Sequence, residues 1–160
     1  MQPSHDAMSQ ALIPTLGCVA QGARASALVC GGTALARQKI AELLHAAGRT
    51  AGEPFLPLHE RWGLRRVLLR LLRSGMESLA PVTLYVDGVE RLDPDARVLL
   101  LHVLQNAEDH WNQLPGRRDG VRVIAGARMP ARLDPALARA LSAVRIDADE
   151  APASAALRAS

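Results

Sequence analysis

The sequence predicts an α/β fold, a doubly wound sheet of five parallel strands with helices on both faces, and three observations carry that prediction. Short apolar runs alternate with longer helical patterns, the order that builds parallel βαβ units. The run Val82 to Val86 is β-rich and apolar along its length, which suits a strand covered on both faces. A strand-like run ending at Cys30 passes through Gly31-Gly32-Thr33 into a helical pattern, the opening of a βαβ unit.

Ala25 to Cys30 is the first strand, and Ala34 to Ala47 the first helix, with Leu35, Ile40, Leu43 and Leu44 as its apolar positions. Gly48 follows as a C-terminal cap. Pro54 to Leu58 is extended and bounded by prolines, which places it at an edge of the sheet. Residues 60–73 form a strongly basic amphipathic helix. Leu64, Val67, Leu68, Leu71 and Leu72 share one face, and Arg61, Arg65, Arg66, Arg70 and Arg73 lie on or beside the other.

The third strand, Val82 to Val86, leads into Asp87. Asp93 then caps a helix whose first residue is Pro94, where the missing N–H costs nothing. That helix runs to about Trp111, with Val98, Leu100, Leu101, Val103 and Leu104 as its expected inner face. A turn-rich loop over 115–120 precedes a fourth strand, Val121 to Ala125. Leu133-Asp134-Pro135 repeats the cap-then-proline start for a helix reaching Ser142, and Ala143 to Ile146 is the fifth strand. The predicted organisation is an N-terminal arm over 1–25, in which Ala11 to Ala20 can form a short helix, a core over 26–147, and a disordered tail over 148–160.

The length suits one domain with a substantial core. Aromatics are only 2% of residues, so that core must be built from Leu, Val, Ile and Ala. The net charge of +3 permits an acidic partner without requiring one. Cys18 and Cys30 are too few for a disulfide framework and lack zinc-site spacing, as expected of reduced thiols. The N-terminus lacks the basic flank of a signal peptide, and no apolar run approaches the ~18 residues of a membrane span. The expected location is the cytoplasm. His45, His59, His102 and His110 show no ligand spacing, and Trp62 and Trp111 read as packing anchors.

Asp87 is the first candidate site residue. It lies at the C-terminal edge of a parallel strand, where ligands bind in open α/β sheets, so it can serve a magnesium or nucleotide site or simply a turn. The arginines of residues 61–73 read as a solvated helix face or as an interaction surface.

Several runs, in order and at matching spacing, resemble the AAA+ domain of bacterial sigma-54-dependent transcriptional activators (enhancer-binding proteins). Leu84-Tyr-Val-Asp87 is similar to that family's Walker B strand, Leu99-Leu-Leu-His-Val-Leu-Gln105 to its LLRVLQ helix, and Val121-Arg-Val-Ile-Ala125 to its VRVIAATN sensor strand. Ala27 to His45 lines up without a gap on the Walker A strand, loop and helix, and Glu53-Pro-Phe55 resembles the GPF second strand. The resemblance covers about residues 26–146 and implies a three-layer P-loop NTPase-like fold.

Its departures imply that the chemistry is lost. A working phosphate loop uses glycines, so that backbone N–H groups wrap the phosphates, and a lysine that reaches the outer ones. Gly31 and Gly32 remain, but the two later glycine positions are Ala34 and Ala36, and the lysine position is Arg37, whose planar head is no like-for-like substitute. Asp87 is retained, yet the catalytic glutamate position is Gly88, which offers no base; losing a general base typically removes about 10²- to 10⁴-fold in rate. The sensor asparagine position is Arg128. The two intersubunit arginine-finger positions fall on Asp134 and Ala140, with Arg139 one step away on another helix face. The interval between the second and third strands holds only the basic helix and a Ser-Gly linker in place of the GAFTGA loop that touches the sigma factor. Neither the helical lid nor a DNA-binding helix-turn-helix follows the fifth strand in the sequence, so direct promoter DNA binding is not expected.

The implied function is that of an ATPase-inactive AAA+ core, a regulatory protein–protein interaction module in bacterial transcription control. The expected partner is a sigma-54-type AAA+ activator or a second copy of the chain, with no cofactor and no metal. One alternative is a weak ATP-binding sensor in which Gly31, Gly32, Arg37 and Asp87 still hold nucleotide and Asp87 holds magnesium. Another is a nucleic-acid or anionic-surface binder acting through Arg61 to Arg73, which the scarcity of aromatics disfavours for base stacking.

Overall fold

The computed structural model describes residues 26–47, 52–58, 63–74, 82–113, 121–142 and 144–149, without the side chains of residues 47 and 110–113. The strands are β1 (Ser26–Cys30), β2 (Phe55–Leu58), β3 (Val82–Asp87), β4 (Val121–Ala127) and β5 (Arg145–Asp147). Between them lie helices α1 (Ala34–Ala47), α2 (Leu64–Ser74), α3 (Pro94–Gln113) and α4 (Pro135–Ala140), and short 3-10 turns at Val89–Arg91 and Pro130–Arg132. All the strands pair in parallel, in the order β2-β3-β4-β1-β5. Among the described residues no helix is long and apolar enough to cross a membrane.

Every residue of β1 and β4 is buried, which explains why these strands read as mainly apolar rather than alternating, with Ser26 and Arg122 the buried polar exceptions. Alternation instead distributes side chains between two cores. Leu28, Cys30, Leu84, Val86, Val121, Val123 and Ala125 face the larger core under α2, α3 and α4. Ala27, Val29, Tyr85, Ile124 and Ile146 face α1 and pack with Ile40, Ala41 and Leu44. The same parity sends Thr83, Asp87, Arg122 and Gly126 toward α1.

Helix starts follow the expected chemistry. Asp93 accepts the Ala96 N–H at 2.9 Å, with Pro94 opening α3. Asp134 accepts from Ala136 and Leu137 at 3.1 and 3.4 Å to cap α4. The phase of two helices differs from expectation. Leu35 is 67% exposed because the inward positions of α1 are Ile40, Ala41 and Leu44. Val98 is 52% exposed because the inward stripe of α3 is Ala96, Leu100, Val103, Leu104 and Ala107, with small alanines at positions that hydrophobicity alone does not single out. Helix α2 starts at Leu64, after Gly63 at φ +95°. Strand β4 extends to Ala127, two residues beyond the expected end.

The predicted tail boundary is corrected: Ala148 is 4% exposed and donates to the Cys30 carbonyl at 2.7 Å, so the packed chain continues past β5 to Asp149. The arm over 1–25 with Cys18, the Gly48 cap, the 115–120 loop and the chain from 150 lie outside the described residues. Strand β2 is the edge strand that its prolines predict, with Pro57 opposite Tyr85 of β3.

At the end of α1, His45 is buried, its Nδ1 lies 2.8 Å from Thr83 Oγ1, and its ring sits 5.5 Å from that of Phe55. Burial lowers its pKa, a backbone contact at Glu53 opposes that shift, and the Arg122 charge reinforces it. The folded state therefore refuses a proton that the unfolded chain accepts near pH ~6.5, and stability must fall as pH drops through that value. Urea midpoints at pH 7.5 and 5.5 should show this loss, and His45→Gln should lose less over the same step. Equal losses would show that His45 is not the group responsible.

Candidate functional site

The parity that sends Asp87 toward α1 also decides what it meets. Arg37 lies in the first turn of α1, just past the glycine turn, where Thr33 caps the helix by accepting the Ala36 N–H at 3.1 Å. The Arg37 side chain is only 4% exposed and that of Asp87 17%. Arg37 Nε donates to Asp87 Oδ1 at 2.8 Å and Nη2 donates to Oδ2 at 3.1 Å, a bidentate ion pair. Its remaining arm turns back on the loop, with Nη1 donating to the carbonyls of Gly31 and Gly32, each at 2.9 Å.

Tyr85, two residues before Asp87 on the same face of β3, donates its hydroxyl to Asp87 Oδ1 at 3.0 Å. Room for this cluster comes from β4. A Cβ on Gly126 would fall on Asp87 Oδ1 and 2.7 Å from the Tyr85 hydroxyl oxygen. Strand register places Gly126 directly opposite Asp87, so its missing side chain is what lets a tyrosine and a carboxylate stack along β3.

The electrostatics agree with a closed pair. Burial pushes the Asp87 carboxyl up, but the hydrogen bonds and charge of Arg37, joined by the Tyr85 hydroxyl, outweigh it and hold the pKa below the usual value. Arg37 is raised above its ordinary value by the same carboxylate, against the opposing effect of burial. The Tyr85 hydroxyl is pushed up by burial first and then by the adjacent Asp87 charge. Burial also raises the nearby Cys30 thiol, partly offset by Arg145.

Of the residues singled out from sequence, the structure brings Gly31, Gly32, Arg37 and Asp87 together. Gly88 is adjacent but turned: its φ of +70° and ψ of 35° are left-handed, and a Cβ there would lie 3.0 Å from Arg91 Nη2. Arg128 projects as an exposed residue whose backbone N–H donates to Glu90 Oε1 at 3.2 Å. Asp134 is engaged as a helix cap and lies 3.6 Å from Arg97, while Arg139 and Ala140 are exposed on α4. On α2, Arg65 pairs with Asp93 and lies 3.9 Å from Asp95, whereas Arg66, Arg70 and Arg73 are exposed beside Leu69. Arg61 lies outside the described residues. Among the described residues, no group of three or more His, Cys, Asp or Glu could hold a metal ion.

Sequence reasoning missed Tyr85, Gly126 and Asp149 as members of the site. An i, i+2 relation to Asp87 marks Tyr85, and a lone glycine inside an apolar strand marks Gly126. No comparable signal marks Asp149, whose carboxylate accepts the Gly32 N–H at 3.2 Å.

Neither the family models nor the curated proteins compared with the sequence include a match. Solved structures do match. NtrX from Brucella abortus, solved in complex with ADP, superposes with a TM-score of 0.63 at 20% identity, over 92% of this chain and 36% of that one. PCH-2 from C. elegans superposes with a TM-score of 0.58 at 16% identity, over 88% of this chain and 42% of its own. The Thermotoga maritima RuvB Holliday junction branch migration motor gives 0.56 at 13% identity, over 84% and 43%. The fold is that of AAA+ P-loop ATPases, and the chain spans less than half the length of these three structures.

Proposed function

We propose that the chain is an AAA+ core that does not turn over nucleotide and works by protein recognition, a module related to the sigma-54-dependent activators that binds an AAA+ activator or a second copy of itself in bacterial transcription control. The observation that supports this most is the closed Arg37–Asp87 pair. A phosphate-loop lysine is useful because its ammonium extends to the outer phosphates. Here four donor contacts of the guanidinium are made inside the chain, two to Asp87 and two to the turn carbonyls.

Magnesium needs oxygen ligands in near-octahedral array at about 2.0–2.1 Å. Both Asp87 oxygens already accept from Arg37, so a magnesium ion there would compete with that pair, and breaking it leaves a guanidinium stranded in a largely dry pocket. The residues present therefore do not fit a magnesium-bound triphosphate. Gly88 in a left-handed conformation supplies no base.

What remains for function is surface. The outer face of α2 presents Arg66, Arg70 and Arg73 around the 38% exposed Leu69, a combination suited to an acidic, partly apolar protein partner. The ADP bound to NtrX belongs to that protein, and comes to this chain only as the alternative that the following titration tests.

A fluorescent ATP analogue with magnesium should show no binding to the wild type up to millimolar concentration, measured beside Ala36→Gly/Arg37→Lys. Micromolar binding by the unmodified chain would overturn the reading. For the recognition half, affinity capture from the native host and sedimentation at high concentration should reveal a protein partner or self-association. A strictly monomeric chain that captures nothing would remove it.

A further inference from the structure

The glycine turn meets a second charged group besides Arg37. Strand β5 ends at Asp147, and the Ala148 N–H then donates to the Cys30 carbonyl at 2.7 Å, which bends the chain over Gly31 and Gly32. Asp149 is fixed by its own N–H donating to Asp147 Oδ1 at 2.9 Å, and its carboxylate accepts the Gly32 N–H at 3.2 Å. The contact is close enough to constrain sequence. A Cβ on Gly31 would collide with Asp149 Oδ2 and lie 3.3 Å from Asp147 Oδ1, while one on Gly32 would lie 3.1 Å from Ala148 Cβ. Both glycines are left-handed, at φ +74° and +61°, so the turn presents its N–H to the returning segment and its carbonyls to Arg37.

We propose that Asp147-Ala148-Asp149 is an in-chain ligand of the glycine turn, with the Asp149 carboxylate seated on the N–H that an external oxyanion would take. The turn accepts an inorganic phosphoanion only when this segment is displaced. Two physical reasons favour the internal ligand. A tethered carboxylate acts at an effective concentration of order millimolar or above, against which a weakly held free anion competes poorly. Asp147 and Asp149 also place two carboxylates at the mouth of the turn, and their charge repels a phosphate. Arg37 then supplies the cation beside Asp87, and Asp149 supplies the anion on the turn, both from within the chain. The inference rests on the reading of the chain as a core that works without nucleotide, and it adds what holds the vacated turn.

The test uses the full chain, with Asp149→Ala and Asp149→Asn beside wild type. Thermal melts are recorded with inorganic pyrophosphate and with sodium chloride of matched ionic strength. Pyrophosphate at about ten times its dissociation constant for Asp149→Ala should raise that variant's melting temperature by roughly 3 °C over the salt control, leaving wild type unmoved. Amide exchange at Gly32 gives a second readout that does not depend on anion binding. Loss of the carboxylate should speed it by roughly 3- to 10-fold, and the neutral, shape-conserving Asp149→Asn, which serves if the alanine variant does not fold, should speed it by about threefold. Equal responses to pyrophosphate in wild type and Asp149→Ala, or unchanged Gly32 exchange in the variants, would overturn the assignment. Those results leave the nucleotide-free reading standing. Tight ATP-analogue binding by wild type would instead remove that reading, while the contrast between wild type and variant still decides the role of Asp149.

Discussion

Asp87→Ala should destabilise the chain by about 3–5 kcal/mol, more than an ordinary surface carboxylate is worth, because it strands the Arg37 guanidinium without its anion. The Tyr85 hydroxyl loses its acceptor in the same step. Urea unfolding of wild type and variant measures the loss, and a difference under about 1 kcal/mol, the level of an exposed pair, would show that the pair is not closed. Replacing both partners by apolar residues of similar size, Arg37→Met with Asp87→Leu, should recover most of the loss, since no charge is then left buried. Acid should act on the same pair. The pKa of Asp87 is held low, so its contribution is complete above the unfolded carboxylate value near pH ~3.9 and disappears as pH falls through the lower folded value. In Asp87→Ala that part of the acid limb should be absent.

Gly126→Ala should cost about 3 kcal/mol although it adds a single methyl group to a buried strand. The new Cβ would overlap Asp87 Oδ1 and sit 2.7 Å from the Tyr85 hydroxyl and 3.3 Å from Tyr85 Cζ; the Tyr85 ring is fully buried, and Asp87 can move aside only by disturbing its bidentate pair with Arg37. Tyr85→Phe introduced with Gly126→Ala should restore only part of the loss, because it relieves the hydroxyl and leaves the carboxylate. Full rescue would show that Asp87 yields easily, and a wild-type melting curve for Gly126→Ala alone would contradict the packing described.

The strands were legible because a parallel sheet buries both faces, so Val82 to Val86 and Val121 to Ala125 announce themselves by composition. The caps at Asp93 and Asp134 were legible because their chemistry is local. Helix phase was less so. Val98 and Leu35 are apolar but face outward, and the alanines at 96 and 107 that fill the inner stripe of α3 carry little hydrophobic signal. In the site, strand, turn and helix sufficed to bring Gly31, Gly32, Arg37 and Asp87 together. The direction of Arg37 was not legible, since an arginine in that position can reach outward to a ligand or inward to Asp87, and only the distances across the cleft decide. The complementarity of Tyr85 and Gly126 depends on the register of β3 against β4, a relation that no single stretch of sequence contains. The acidic, alanine-rich end after β5 has the composition of solvated chain, which concealed the role of Asp149.

The proline in β2 has a further consequence for how copies of this chain can meet. An outer strand offers a row of unpaired backbone groups on which another molecule can extend the sheet, but Pro57 has no N–H to contribute. The opposite border, β5, is only Arg145–Asp147, too short to template a long ribbon. Among the described residues, neither rim favours extension of the sheet through the backbone, so contacts between copies made by these elements should run through side chains rather than through strand pairing.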